Sequence, residues 1–244
     1  MKFIATIEAR MTSSRLPGKP LMKAGGKTML EHLVMRLRRV KSIDSIVLAT
    51  TINNEDDDLV NEAERLGINC FRGSEDDVLN RVIGAASSID ADVIIEITGD
   101  CPIIDPGIVE QTIQMYKAHN VDYVSNVMIR SYPDGMDVQV FTLETLIKSA
   151  SMTNDPLDIE HVSLHIRNNP ELFTRVHLVA PPELHWPELG LTLDEEKDFD
   201  LISTVIEHFV DESYLFSCQD AINLLKENPQ LTKINKTVSR KGNT

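Results

Sequence analysis

Between residues 2 and 126 short apolar runs alternate with stretches of helical spacing, and no other feature restricts the fold as tightly. The runs "KFIATIE" (2–8), "SIVLAT" (45–50), "INCF" (68–71), "DVIIEIT" (92–98) and "DYVSN" (122–126) have the length and content of strands. After the first, Met29, Leu30, Leu33, Val34, Leu37 and Val40 recur at helical spacing, and Thr28 with Glu31 makes a capping-box start. "NNEDDDLVNEAERLG" reads as a helix opened by acids and closed by Gly67. Further helices are predicted from Ser74 to about Ser88 and from about Pro106 to Ala118. Strands separated by helices lie parallel. The expected fold class is therefore α/β, an open, doubly wound, mostly parallel Rossmann-like sheet. Ligands of such sheets bind beyond the carboxyl ends of the strands, so residues 9–20 and 98–105 should face one another across a site.

The second half is less regular. "SYPDGMDVQVF" (131–141) reads as a turn leading into a strand. Helices are predicted near 142–152 and 156–168, with a strand at 175–180. "LGLTLDEEKDFDLISTVIEHF" reads as a short strand and then a helix from near Asp194. The final "TKINKTVSRKGNT" is polar and basic and reads as a frayed tail. No repeat or linker divides the chain, so residues 1–244 read as one domain with an excursion at about 127–185.

Charge is distributed unevenly. The net charge is −14, which argues against nucleic acid or an anionic membrane as partner. Yet Arg10, Arg15, Lys19, Lys23 and Lys27 lie in a segment, residues 9–30, that holds no acid. An acidic chain that gathers cations after its first strand is suited to a small polyanion. Arginine offers forked donors to phosphate oxygens and lysine a point charge, while Pro17 and Gly18 shape the turn presenting Lys19. The segment "AGGKT" ends like a P-loop, but Leu21 stands where that loop needs glycine, and the dinucleotide glycine fingerprint is absent. A side-chain and backbone cradle for a triphosphate remains. No run approaches the ~18 apolar residues of a membrane span. Cys70, Cys101 and Cys218 are too scattered for a disulfide framework, which points to a reducing cytoplasm.

These residues also carry a resemblance. "ARMTSSRLPGKPL" resembles the opening motif of the sugar-acid cytidylyltransferases, among them the 3-deoxy-manno-octulosonate enzymes and the spore coat polysaccharide biosynthesis protein F group. "FRGSEDDVLNR" (71–81), "ITGDCPIIDP" (97–106), "YPDGMDVQVF" (132–141), "EHV" (160–162) and "LTLDEEKDFDLI" (191–202) resemble that group as well. The resemblance implies the nucleotidyltransferase-type fold, a homodimer and a reaction in which a sugar hydroxyl attacks the α-phosphorus of CTP. Pyrophosphate leaves, and the CMP-sugar serves surface polysaccharide or glycoconjugate synthesis. Arg10, Ser13, Arg15 and Lys19 match the triphosphate-binding motif, with Arg10, Arg15 and Lys19 as catalytic candidates and Lys19 the stabiliser of developing charge.

A nucleoside triphosphate arrives with Mg²⁺, which takes one or two carboxylates plus phosphate oxygens. Asp100, just past the fourth strand, is placed to supply one, and Asp194 matches the family's second ligand. Each has a capping role as its alternative. Arg72 is a candidate to reach the nucleotide, and Thr98 replaces the glutamine of the octulosonate enzymes' Q-G-D, where it helps to read the base. Asp137, Gln139 and, by resemblance, Glu160 and His161 are candidates for the acceptor sugar. The 2-keto-3-deoxy sugar acids are the favoured acceptors; a different NTP, a phosphorylated acceptor and a non-catalytic nucleotide-binding relative are the alternatives. D-x-D pairs at Asp56/Asp58, Asp90/Asp92 and Asp198/Asp200 fall on predicted helices or at the wrong end of the sheet for a glycosyltransferase. A zinc site at His161 and His165 has no third ligand in view.

Overall fold

A computed structural model describes residues 1–210 and 215–240. Its centre is a seven-stranded sheet built from β1 (Phe3–Glu8), β4 (Ser45–Thr51), β5 (Asn69–Gly73), β6 (Val93–Thr98), β7 (Tyr123–Ser125), β8 (Gln139–Thr142) and β9 (Arg175–His177). The spatial order is β5-β4-β1-β6-β8-β7-β9. β1 pairs in parallel with β4 and β6, and β4 with β5; β8 alone runs against its neighbours β6 and β7. The remaining strands, β2 (Lys23–Ala24) and β3 (Lys27–Thr28), form a small separate hairpin.

Helices cover both faces, which is why the inner strands read as unbroken apolar runs. On one face α1 (Met29–Leu37), α2 (Asp57–Leu66), α4 (Pro106–Ala118), α8 (Glu196–His208) and α9 (Cys218–Glu227) pack on Phe3, Ala5, Ile7, Ile95 and Ile97. On the other, α3 (Val78–Ser87), α5 (Leu143–Ala150) and α7 (Leu164–Asn168) pack on Ile4, Val47, Ile94 and Phe141. The chain first winds outward from β1 to β5, then returns to β6 on the far side of β1. The strand order thus reverses between β1 and β6, and a crevice at their carboxyl ends follows from that topology.

The expected elements of the first half are present, with shifted ends. The helix expected from Ser74 begins only at Val78, because the Asp77 side chain caps it by accepting from Asn80 N. Thr28 caps α1 by accepting from Glu31 N, while the Glu31 carboxylate turns to Lys27 and Arg65 instead of closing a capping box. The helix expected at 156–168 is broken into α6 (Pro156–Glu160) and α7, with Val162 between them at φ 33°. The strand expected near residue 190 is a single parallel bridge, Asp134 to Gly190, and the next helix starts at Glu196 with Glu195 as its cap. The expected frayed tail is docked as far as residue 240: Asn235 is buried and the Arg240 side chain is only 11% exposed. Residues 241–244 of that expectation lie outside the described residues.

Candidate active site

The loop after β1 and the loop after β6 meet as expected. Gly99 N donates to Glu8 O at 2.9 Å, so the two strands stay joined to their ends. A side chain at Gly99 would meet Glu8 O at 2.8 Å, so only glycine allows this approach. The loop 9–18 is fastened at both ends: Met11 N donates to the buried Asp56 carboxylate at 2.7 Å, and Gly18 N to Met11 O at 2.9 Å. Asp56 also accepts from the hydroxyls of Thr50 and Thr51 and from Thr51 N, so one acid ties the basic loop to the end of β4. Gly18, at φ 74°, turns the chain into the short 3₁₀ turn Lys19–Leu21 and brings Lys19 inward.

Lys19 is buried, at 7% exposure. Its ammonium lies 2.5 Å from Asp100 Oδ1 and 3.8 Å from Asp194 Oδ1, and donates to Leu193 O at 2.8 Å. Arg15 lies 2.6 Å from the same Asp194 oxygen. Two of the residues singled out in the sequence, Arg15 and Lys19, therefore converge on a third, Asp194. Burial pushes the Asp100 carboxyl above its ordinary pKa, and the Lys19 ammonium pulls it back. A cation so enclosed is a strong anion site only if its carboxylate partners can give it up. Two carboxylates sharing one ammonium also fit a hard cation that takes one or two carboxylates and completes its shell with phosphate oxygens. Among the described residues no three or more His, Cys, Asp or Glu side chains are grouped to hold a metal by themselves.

Other candidates lie apart from this centre. Arg10 turns toward β5 and pairs with Glu75 at 2.9 Å, and Glu75 also accepts from Thr12 and Asn53. Ser13 is half-buried in the loop between Arg10 and Arg15. Lys23 and Lys27 belong to the hairpin, where Gly25 and Gly26 make a turn and not a phosphate loop. Arg72 is held at the end of β5 by Thr51 O, Asn53 O and Asp57. Thr98 is exposed, with its hydroxyl 3.4 Å from Cys101 Sγ.

Asp137 pairs with Arg130 at 3.2 Å, and burial raises its carboxyl to a pKa of about 6 against the pull of that guanidinium. Gln139 is buried, and its amide oxygen accepts from Tyr123 at 2.5 Å and Ser163 at 2.6 Å. His161 ends α6 and is exposed. His165 lies beyond the break in α7 and pairs with Asp158, so the two histidines do not share a helix face.

Sequence reasoning missed several residues. The sheet register aligns Thr6, Glu96, Gln139, Ser125 and His177 in one row across five strands, all on the α3–α7 face. Glu8 Oε2, Glu96 Oε2, Ser125 Oγ, Arg167 Nε and His177 Nδ1 are buried there without a hydrogen-bond partner. Burial raises both carboxyls, Glu96 to about 7, and the neighbouring Glu96 raises Glu8 further. The signal in the sequence is Glu96 itself, an acid inside the otherwise apolar run of β6. Asp198 belongs to a D-x-D pair that the sequence places on a helix. It is fully buried, closes a capping box with Glu195, and holds Asn235 at 2.7 Å and Arg240 at 2.8 Å.

The reversal point between β1 and β6, where open α/β sheets bind their ligands, is crossed by a buried lysine between two aspartates. A family model described as cytidylyltransferase matches residues 4–220, and the chain belongs to that family. Membership of that family makes it a nucleotidyltransferase of the cytidylyltransferase type. An uncharacterised protein of Methanocaldococcus jannaschii is 37% identical over 244 residues, 99% of this chain and 98% of its own length. The spore coat polysaccharide biosynthesis protein SpsF of Bacillus subtilis is 35% identical over 228 residues, covering 91% of this chain and 93% of the relative. A solved cytidylyltransferase from Leptospira borgpetersenii superposes with a TM-score of 0.91 at 32% identity, over 98% of this chain and 100% of the other.

Proposed function

We propose that the enzyme transfers CMP from CTP to a sugar acid of the 2-keto-3-deoxy class, releasing pyrophosphate, to make an activated sugar for surface polysaccharide. The observation that carries this reading is the contact of Lys19 with Asp100 and Asp194 at the reversal of the sheet. Asp100 and Asp194 hold Lys19 and Arg15. A triphosphate brings stronger, multidentate acceptors, so Arg15 and Lys19 turn to its oxygens while Arg10 and Ser13 line its path. Lys19 then lies where charge grows on the leaving pyrophosphate. Asp100 and Asp194, released from their cations, are the groups that would hold Mg²⁺. When bound, that ion neutralises phosphate charge and orients the α-phosphate for in-line attack.

Arg72 and Thr98 are assigned to the nucleotide, and Asp137, Gln139 and His161 to the acceptor. The buried, unpartnered oxygens of Glu8 and Glu96 and the Arg167 Nε beside them support an acceptor side rich in hydrogen-bonding groups. Six exposed apolar side chains, Ile129, Ile147, Met152, Leu157, Leu172 and Val179, lie in the excursion and support a homodimer through it. All three cysteines are free, which supports a reducing, cytoplasmic setting. The name of the Bacillus relative supports the polysaccharide role.

Thermal stability with CTP, UTP, ATP and GTP, each with and without Mg²⁺, tests the donor. A ligand at 100 times its dissociation constant stabilises the folded state by about 2.7 kcal/mol. A CTP-selective shift enhanced by Mg²⁺ is expected, followed by pyrophosphate release with sugar acids. Equal shifts with all four nucleotides would refute CTP selectivity. Asp100→Asn should weaken the Mg²⁺ dependence of the shift; an unchanged Mg²⁺ titration would remove Asp100 from the metal site.

A further inference from the structure

The C-terminal segment returns to the active site. Arg15 donates to Ser239 O at 3.2 Å, Lys197 to the Thr237 hydroxyl at 2.8 Å, and Asn235 to Gly190 O at 2.9 Å. Beside them the Arg240 guanidinium lies against Gly190, where a Cβ would collide with it, and its own ion pairs hold it there. From there Arg240 reaches three acids: Asp198 at 2.8 Å, Asp134 at 3.7 Å and Asp194 at 3.9 Å. Its Nη1, the atom nearest Asp194, is buried and has no hydrogen-bond partner.

The charges on either side form a chain of alternating sign. Asp100 pairs with Lys19, and Lys19 and Arg15 with Asp194. Arg240 then joins Asp194 to Asp134, and Arg130 joins Asp134 to Asp137. One end is the loop assigned to the triphosphate and the other the arm assigned to the acceptor. Among the described residues, no other ion pair links Asp134 with Asp194.

We propose that Arg240 is a positioning residue that couples the nucleotide and acceptor halves of the site through Asp194 and Asp134. The proposal rests on the reading of residues 10–19 as a triphosphate cradle. Arg240 shares the negative charge of Asp194, so Arg15 and Lys19 are held there less firmly and can turn to phosphate. Without Arg240, Asp194 keeps both cations to itself, and a triphosphate must compete for them against a less compensated acid. On the far side, Arg240 holds Asp134, which with Asp137 fixes Arg130. The merely structural alternative is that Arg240 only fastens the segment to Asp198. Asn235 distinguishes the two, because it fastens the same segment to Asp198 and Gly190 without carrying charge.

The test is calorimetric titration of CTP, and separately of inorganic tripolyphosphate, into the full chain and its Arg240→Ala, Arg240→Lys and Asn235→Ala variants, with melting curves for each. Arg240→Ala should weaken binding of both probes by tenfold or more, and Arg240→Lys should recover part of the loss. Asn235→Ala should melt earlier yet bind within about threefold of wild type, since the uncharged amide contributes nothing to the balance at Asp194. Equal losses of affinity in Arg240→Ala and Asn235→Ala would make Arg240 a fastening only and overturn the proposal. So would wild-type affinity in Arg240→Ala. If Arg240→Ala does not fold, Arg240→Lys decides: undiminished affinity from a point charge that cannot span two acids refutes the coupling. Wild-type protein that binds neither probe removes the cradle reading itself, and the proposal with it.

Discussion

Replacing Lys19 by alanine removes one ammonium from between two acids, and its effects on stability and on turnover separate. The ammonium makes a charged hydrogen bond to Leu193 O and a close ion pair with Asp100. A hydrogen bond to a charged group is worth about 1.5–3 kcal/mol. The Asp100 side chain is 34% exposed, so water compensates part of its loss and a total near 2 kcal/mol is appropriate. For a chain of this length each kcal/mol moves the melting temperature by roughly 2–4 °C. A drop of about 4–8 °C in a calorimetric or circular dichroism melt is therefore expected. Turnover should suffer more. Losing one preorganised charge aimed at a developing anion costs about 10²–10³ in kcat, or ~2.7–4 kcal/mol. Pyrophosphate release, measured on protein whose melt shows a folded state at the assay temperature, should fall by at least that factor. A folded variant with kcat within about threefold of wild type would refute the role of Lys19 at the transferring phosphate.

The Glu96 carboxyl, raised to a pKa of about 7 chiefly by burial, makes the folded state hold a proton that the unfolded chain releases near its ordinary carboxylate range. The folded state then binds more protons than the unfolded one across that window, so stability should fall as pH rises toward about 7 and level off above it. Glu96→Gln should flatten this slope in melts run from acid to neutral pH, and an unaltered slope would refute the assignment. Gly135 sits at φ 101° with the Leu191 backbone 2.5 Å from where a Cβ would stand. Gly135→Ala should destabilise by well over ~1 kcal/mol in urea unfolding and loosen the hydrogen bonds of Asp134 to Leu189 and Leu191; a neutral result would contradict this packing. Asp56→Asn should lower affinity for CTP through a displaced 9–18 loop, since the neutral amide cannot accept from Met11 N, Thr51 N and two hydroxyls as the carboxylate does; unchanged affinity would show the loop is held by other contacts.

The layout of the first half is local information. Ile4, Ile7, Ile94, Ile95 and Ile97 are buried on both sides of a parallel sheet, so the period-two signal vanishes and continuous apolar runs remain, which can be read without coordinates. The order of those runs implies the place where loops meet, and Lys19 and Asp100 meet there. Cations gathered in an acidic chain are likewise visible in one dimension. The second half was harder because its contacts come from far along the chain. The break at Val162 and the single bridge from Asp134 to Gly190 follow from packing partners and not from local preference. By sequence Asp198 is one of many acids, and "TKINKTVSRKGNT" reads as a frayed tail. Only the folded chain brings Asn235 and Arg240 to that buried carboxylate. The sequence by itself determined the parallel half of the sheet and the family, since strand content, helix caps and the motif are all carried by neighbouring residues. Tertiary structure alone decided which acid holds which cation, because ion pairs such as Arg15–Asp194 and Arg240–Asp134 join residues that no local rule connects.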